Sequence, residues 1–119
     1  MKYAILIYDD PAAAEKAGQP LLDEYDKYAG GLAERGLIRG GEQLSTTSVT
    51  TLRSEGGRTI VADGPFAETK EQLGGFFLVE CDTLDEALEA GGRIPSLRIG
   101  GTVEVRPVLG DDVPHEGHR

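Results

Sequence analysis

The chain has 119 residues, room for one domain and for a core that needs neither disulfides nor a structural metal. It carries 12 basic against 21 acidic residues, a net charge of −9, which argues against nucleic acid and anionic membrane as partners, since both call for a basic face. A lone cysteine excludes an internal disulfide and every paired-cysteine metal site, and it fits a reducing compartment.

Lys2 to Tyr8 (KYAILIY) reads as the first strand. Tyr3, Ile5 and Ile7 fall on one face and Ala4, Leu6 and Tyr8 on the other, so the strand is apolar on both and belongs inside a sheet covered on both sides. The six-residue apolar run of MKYAILIYDD is too short for a signal-peptide core or a membrane span, and the protein is expected in the cytoplasm. Asp9-Asp10-Pro11 ends the strand. Leu21, Leu22, Tyr25, Tyr28, Ala29 and Leu32 then recur at steps of three and four, the stripe of an amphipathic helix. Gly30-Gly31 falls within it, for which close packing of helix on sheet is one reason, and Gly36 reads as its C-terminal cap.

A short strand is expected over Leu37 to Leu44 and another over Thr46 to Arg53, where β-branched residues crowd. Gly56-Gly57 turns the latter into a hairpin with Thr59 to Ala62. Gly74 to Cys81 (GGFFLVEC) is a strand apolar on both faces. Thr83 caps a second helix, with Glu86 at capping-box spacing. Leu84, Ala87 and Leu88 are expected to face inward, and the helix ends around Gly91 to Arg93, before Pro95. Thr102 to Leu109 is the last strand, with Val103 and Val105 on one side and Glu104 and Arg106 on the other. The 17 glycines, roughly twice the usual share, include six doublets that punctuate these elements.

The order β-α-β-(β-β)-β-α-β is an α+β pattern. It is a ferredoxin-like antiparallel sheet with two helices on one face and an inserted hairpin, one domain over 1–109 followed by a polar tail over 110–119. Two helices cover one face only, yet the first and fifth strands are apolar on both. A second copy of the chain is the simplest cover, so a homodimer is expected.

The segment Asp63 to Gly75 (DGPFAETKEQLGG) leaves a strand through a turn, with Gly64 supplying a flexible φ and Pro65 fixing the next. DGPFAETKEQLGGFFLVECDTLDEALE, then Arg93-Ile94-Pro95 and Val103-Glu104-Val105-Arg106-Pro107, resembles the YCII-related, or DGPF, family. The opening MKYAILIYDD and Gly40-Gly41-Glu42-Gln43-Leu44 resemble it too, so the likeness covers nearly all of 1–109. It implies a ferredoxin-like fold and a dimeric α+β barrel in which two sheets face each other. It implies little about activity. Most of the DGPF branch has no established reaction, some members are encoded beside sigma factors, and a YCII branch includes a dehydrochlorinase of chlorinated hydroxyquinols with a His–Asp pair as acid–base site. The only histidines here, His115 and His118, lie in the tail, so that pair does not carry over. Asp63 does, with Gly64, Pro65 and Phe66 as the structural motif.

Acid–base work needs a titratable group in a cleft. Asp63 is the candidate acid or base, although a turn-forming aspartate needs no further role. Tyr8, Glu42, Glu68, Lys70, Glu104 and Arg106 are the candidate substrate-binding residues. Glu104 and Arg106 share one strand face, which suits either a structural ion pair or a small polar ligand. The His115–His118 spacing on a tail fixes no third ligand, so no metal is expected. Cys81 ends a buried strand and reads as a small hydrophobe. No phosphate-binding glycine loop is present, so no cofactor is expected. Two function classes stand. One is a cofactor-free lyase, isomerase or hydrolase acting on a small polar or aromatic molecule, with Asp63 as acid or base. The other is a non-catalytic module that senses a small ligand or contacts a transcription component.

Overall fold

The computed structural model describes residues 1–67 and 69–110. Glu68 and the tail histidines, His115 and His118, lie outside the described residues. Strand β1 (Lys2–Asp9) leads into helix α1 (Pro11–Glu34) and strand β2 (Ile38–Gln43). Strands β3 (Thr50–Glu55) and β4 (Arg58–Asp63) form a hairpin, and β5 (Gln72–Glu80), helix α2 (Leu84–Gly91), a 3-10 helix (Pro95–Ile99) and β6 (Thr102–Pro107) follow. The main sheet has the order β2-β5-β1-β6 and is antiparallel at each junction; β3 and β4 pair only with each other. This is the α+β arrangement expected from the pattern.

The period of two along β1 sets the core. Tyr3, Ile5 and Ile7 are buried, and Ile5 lies opposite Phe77 on β5 and Val105 on β6. Leu32 of α1, Ala87 and Ala90 of α2, and Ile94 close over them. The other face of β1, Ala4, Leu6 and Tyr8, is half-buried with no helix above it. Leu6 there lies opposite Phe76 and Glu104, and Ala4 opposite Leu78 and Arg106.

Helix α1 starts at Pro11, capped by the Asp10 carboxylate accepting from the Ala12 amide at 3.1 Å. It kinks at Gly18, whose φ of 62° is not helical, just before Pro20. Leu21 and Leu32 of the expected stripe are buried, but Leu22 is exposed. Gly30 and Gly31 are not close-packing sites, since a Cβ at either would meet nothing within 4 Å. Helix α2 is capped as expected: Thr83 accepts from the Glu86 amide at 3.2 Å. Its inward face is only partly the expected one. Ala87 is buried as expected, but Leu84 and Leu88 are exposed, and Ala90 and Gly91 are buried in their place. The helix lies so close to β6 that a Cβ at Gly91 would sit 2.9 Å from Val105, and only small residues fit. Strand β3 starts at Thr50 rather than Thr46, because Ser45 turns the chain by accepting from the Thr47 and Ser48 amides. Both residues of the Gly56-Gly57 turn have positive φ, 55° and 81°, which a two-residue hairpin turn favours. Gly64 ends the hairpin at φ 100°.

Candidate functional site

Asp9 continues the row Tyr3, Ile5, Ile7, so the strand period aims it at the helix-covered side of the sheet. The pairing of β1 with β5 slips between Ile7 and Tyr8, where Gly74 is skipped as a bulge. Two glycines leave the carboxylate room. A Cβ at Gly101 would sit 3.0 Å from Oδ1, and one at Gly74 3.2 Å from Oδ2. Oδ1 is buried and has no hydrogen-bond partner; it is the one such side-chain oxygen among the described residues. Leaving a buried polar atom unpaired costs about 1–3 kcal/mol, so a group held this way calls for a functional account.

Asp9 lines a cleft of about 630 Å³ between α1, the end of β2 and the start of β5. Leu21, Leu22 and Phe77 give it apolar walls. Among the described residues its charged lining is all acidic: Asp9, Glu15, Asp26 and Glu42 line it, and no described lysine, arginine or histidine does. None of the four carboxylates forms an ion pair among the described residues. Tyr25 reaches into the cleft, and its hydroxyl shares a 2.5 Å hydrogen bond with the fully buried Ser96. Burial raises the pKa of Tyr25, the hydrogen bond with Ser96 lowers it, and the negative charge of Asp9 adds to the rise. At neutral pH the hydroxyl therefore keeps its proton, and either it or the Ser96 hydroxyl donates in the bond the two share.

A second, shallower depression lies on the uncovered face. Tyr8, Thr69, Lys70, Glu71, Thr102 and Glu104 line it. Tyr8 donates to Glu104 at 3.0 Å, and the Arg106 guanidinium pairs with the same carboxylate at 2.9 Å. Desolvation raises the pKa of Tyr8, helped by the bond to Glu104. Lys70 stands 3.9 Å from Asp10.

The structure thus brings Tyr8, Lys70, Glu104 and Arg106 to one surface, and it puts Glu42 in the other cleft. Asp63 joins neither. It is exposed at the end of β4, opposite Thr50, and lines neither concavity. Its neighbour Gly64 donates to Val49 at 2.7 Å and accepts from Thr51 at 2.6 Å, so the turn closes on the base of the hairpin. Phe66 is exposed, with Arg53 lying 5.6 Å from its ring centre. Sequence reasoning missed Asp9, Tyr25 and Ser96. The signal for Asp9 was present: a charged residue that keeps phase with three core positions of one strand.

A model of the YCII-related domain matches residues 1–110. The chain belongs to the YCII-related domain family. It is also 38% identical over 114 residues to an uncharacterized protein of Rhizobium meliloti, which covers 91% of this chain and 92% of the relative. Neither likeness assigns a reaction to this YCII-related chain. Among the described residues no helix is long and apolar enough to cross a membrane, and no group of three or more His, Cys, Asp or Glu residues is arranged to hold a metal.

Proposed function

We propose that this YCII-related protein binds a small molecule in the Asp9 cleft, and that the ligand carries hydrogen-bond donors or a positive charge on a compact apolar or aromatic body. The observation that carries the reading is the Asp9 carboxylate, seated between two glycines with a buried oxygen that nothing among the described residues satisfies. The acidic lining sets the sign of the ligand, because an anion would face four carboxylates and, among the described residues, no cation. The apolar walls supply contact area and a low dielectric in which the carboxylate acts strongly. With the acid–base role moved from Asp63 to Asp9, the cleft suits cofactor-free proton-transfer chemistry of the lyase or isomerase kind. Asp9 takes a proton from the ligand, and Tyr25, held by Ser96, donates to the oxygen where charge develops. The protein works as a homodimer joined through the uncovered sheet face, whose half-buried Leu6, Phe76 and Leu78 have no helix above them.

The test is a melting-temperature screen of the wild type against small primary amines, phenols and hydroxylated aromatics. Affinities of the hits are then measured on wild type and Asp9→Asn. Cationic or donor-rich hits that lose at least tenfold affinity in Asp9→Asn support the site. A screen without hits, or hits that Asp9→Asn binds unchanged, overturns it. Conversion of a bound hit, followed by NMR and lost in Asp9→Asn, assigns catalysis. Binding without conversion assigns a sensing role.

A further inference from the structure

The hairpin β3–β4 is an arm without a body beneath it. Eleven of its twelve strand residues are exposed, and only Thr51 is half-buried. Its apolar side chains face water: Leu52 is 65% exposed, Val61 opposite it 63%, and Phe66 at its base 77%. A lone two-stranded hairpin is marginal in water, so an ordered arm of this composition calls for a surface to lie on.

We propose that the arm docks on a second copy of this chain and is an essential part of the dimer interface. The inference rests on the sheet-face homodimer proposed above and adds to it. Area argues for it. Four strands about 4.8 Å apart, of six, nine, eight and six residues from edge to edge, give the open sheet face a footprint of only about 460 Å². A stable interface takes about 800 Å² from each partner. The arm adds about 190 Å², and in a two-fold dimer each protomer also offers the ground on which its partner's arm lies, another 190 Å² or so. The total then reaches the standard size, which the sheet face alone does not. Charge agrees. Two bodies of a chain with net charge −9 repel each other, whereas residues 50–63 hold Arg53 and Arg58 against Glu55 and Asp63 and are neutral in sum. Neither arginine forms an ion pair among the described residues, so both are available to carboxylates of the second copy.

The experiment measures the dimer dissociation constant by sedimentation, on the full chain, for wild type and L52K/V61E. These two positions face each other across the hairpin, so the new Lys–Glu pair keeps the strands paired while removing the apolar face. A second variant replaces residues 50–63 by a short Gly-Ser linker. Circular dichroism at concentrations where the chains are monomeric shows that the main sheet is intact. The expected result is a dissociation constant raised at least tenfold in both variants, with arm amides of the wild-type dimer protected from hydrogen exchange. A wild-type dimer whose constant changes less than twofold in the variants, or whose arm amides exchange freely, overturns the arm proposal alone. A monomeric wild type overturns the homodimer itself.

Discussion

Replacing Gly101 by alanine tests the architecture beneath Asp9. A Cβ there would lie 2.9 Å from the Ser96 carbonyl oxygen, 2.9 Å from that of Tyr8 and 3.0 Å from Asp9 Oδ1. None of these oxygens is the free end of a flexible side chain. Ser96 is fully buried and accepts from the Gly101 amide at 2.9 Å, Tyr8 is held in the sheet, and the carboxylate is already wedged. The chain between the 3-10 helix and β6 must therefore shift by several tenths of an ångström, an overpacking cost of about 1–3 kcal/mol. The lost flexibility of the unfolded glycine offsets about 0.4–1 kcal/mol of it. The net is a loss of about 1–2 kcal/mol, or roughly 4–8 °C in melting temperature for a domain of this size. Gly30→Ala is the matched control. It lies in α1 with nothing within 4 Å of its would-be Cβ, so it should gain about 0.5–1 kcal/mol from helix propensity. Thermal unfolding of both variants by circular dichroism reads the contrast. If Gly101→Ala melts at or above the wild-type temperature, the close packing argued here is wrong.

Three further outcomes are expected. Gly64→Val should destabilise by more than about 1 kcal/mol, because the residue holds φ at 100°, which a β-branched side chain strongly resists; an unchanged urea midpoint would count against it. Burial raises the pKa values of Tyr25 and Tyr28 above the ordinary 10.0, so the folded state holds these protons more tightly than the unfolded chain. Their contribution is complete below pH 10 and is lost as pH climbs through the folded values. Stability should thus fall at alkaline pH and fall less in Tyr28→Phe, and equal slopes in the two proteins would refute the assignment. Arg106→Ala should change stability by less than about 1 kcal/mol, because its side chain is 63% exposed and its pair with Glu104 is well solvated. A loss of several kcal/mol on chemical denaturation would show that pair to be structural.

The order and type of the six strands and two α-helices were legible from local pattern; the 3-10 helix Pro95–Ile99 was not. Strand β1 announces itself by apolar residues in both phases, Gly56-Gly57 by the turn it must make, and α2 by Thr83 and Glu86. These are interactions between residues within a few positions of one another, and the chain writes them down directly. Which face of α2 turns inward was only partly legible. Leu84 and Leu88 are the larger hydrophobes, but the nearness of β6 at Gly91 selects the small side of the helix, and that distance is a property of the assembled layers. The site divides the same way. The gathering of Tyr8, Glu104 and Arg106 on one surface follows from strand alternation plus the adjacency of β1 and β6. The seating of Asp9 depends on Gly74 from one neighbouring strand and Gly101 from just before the other, with Tyr25 and Ser96 brought in from two helices. Residues so far apart in sequence meet only through the tertiary fold, which alone decides that an aspartate ending a strand closes the floor of a cleft while Asp63, in the more conspicuous motif, stays in water.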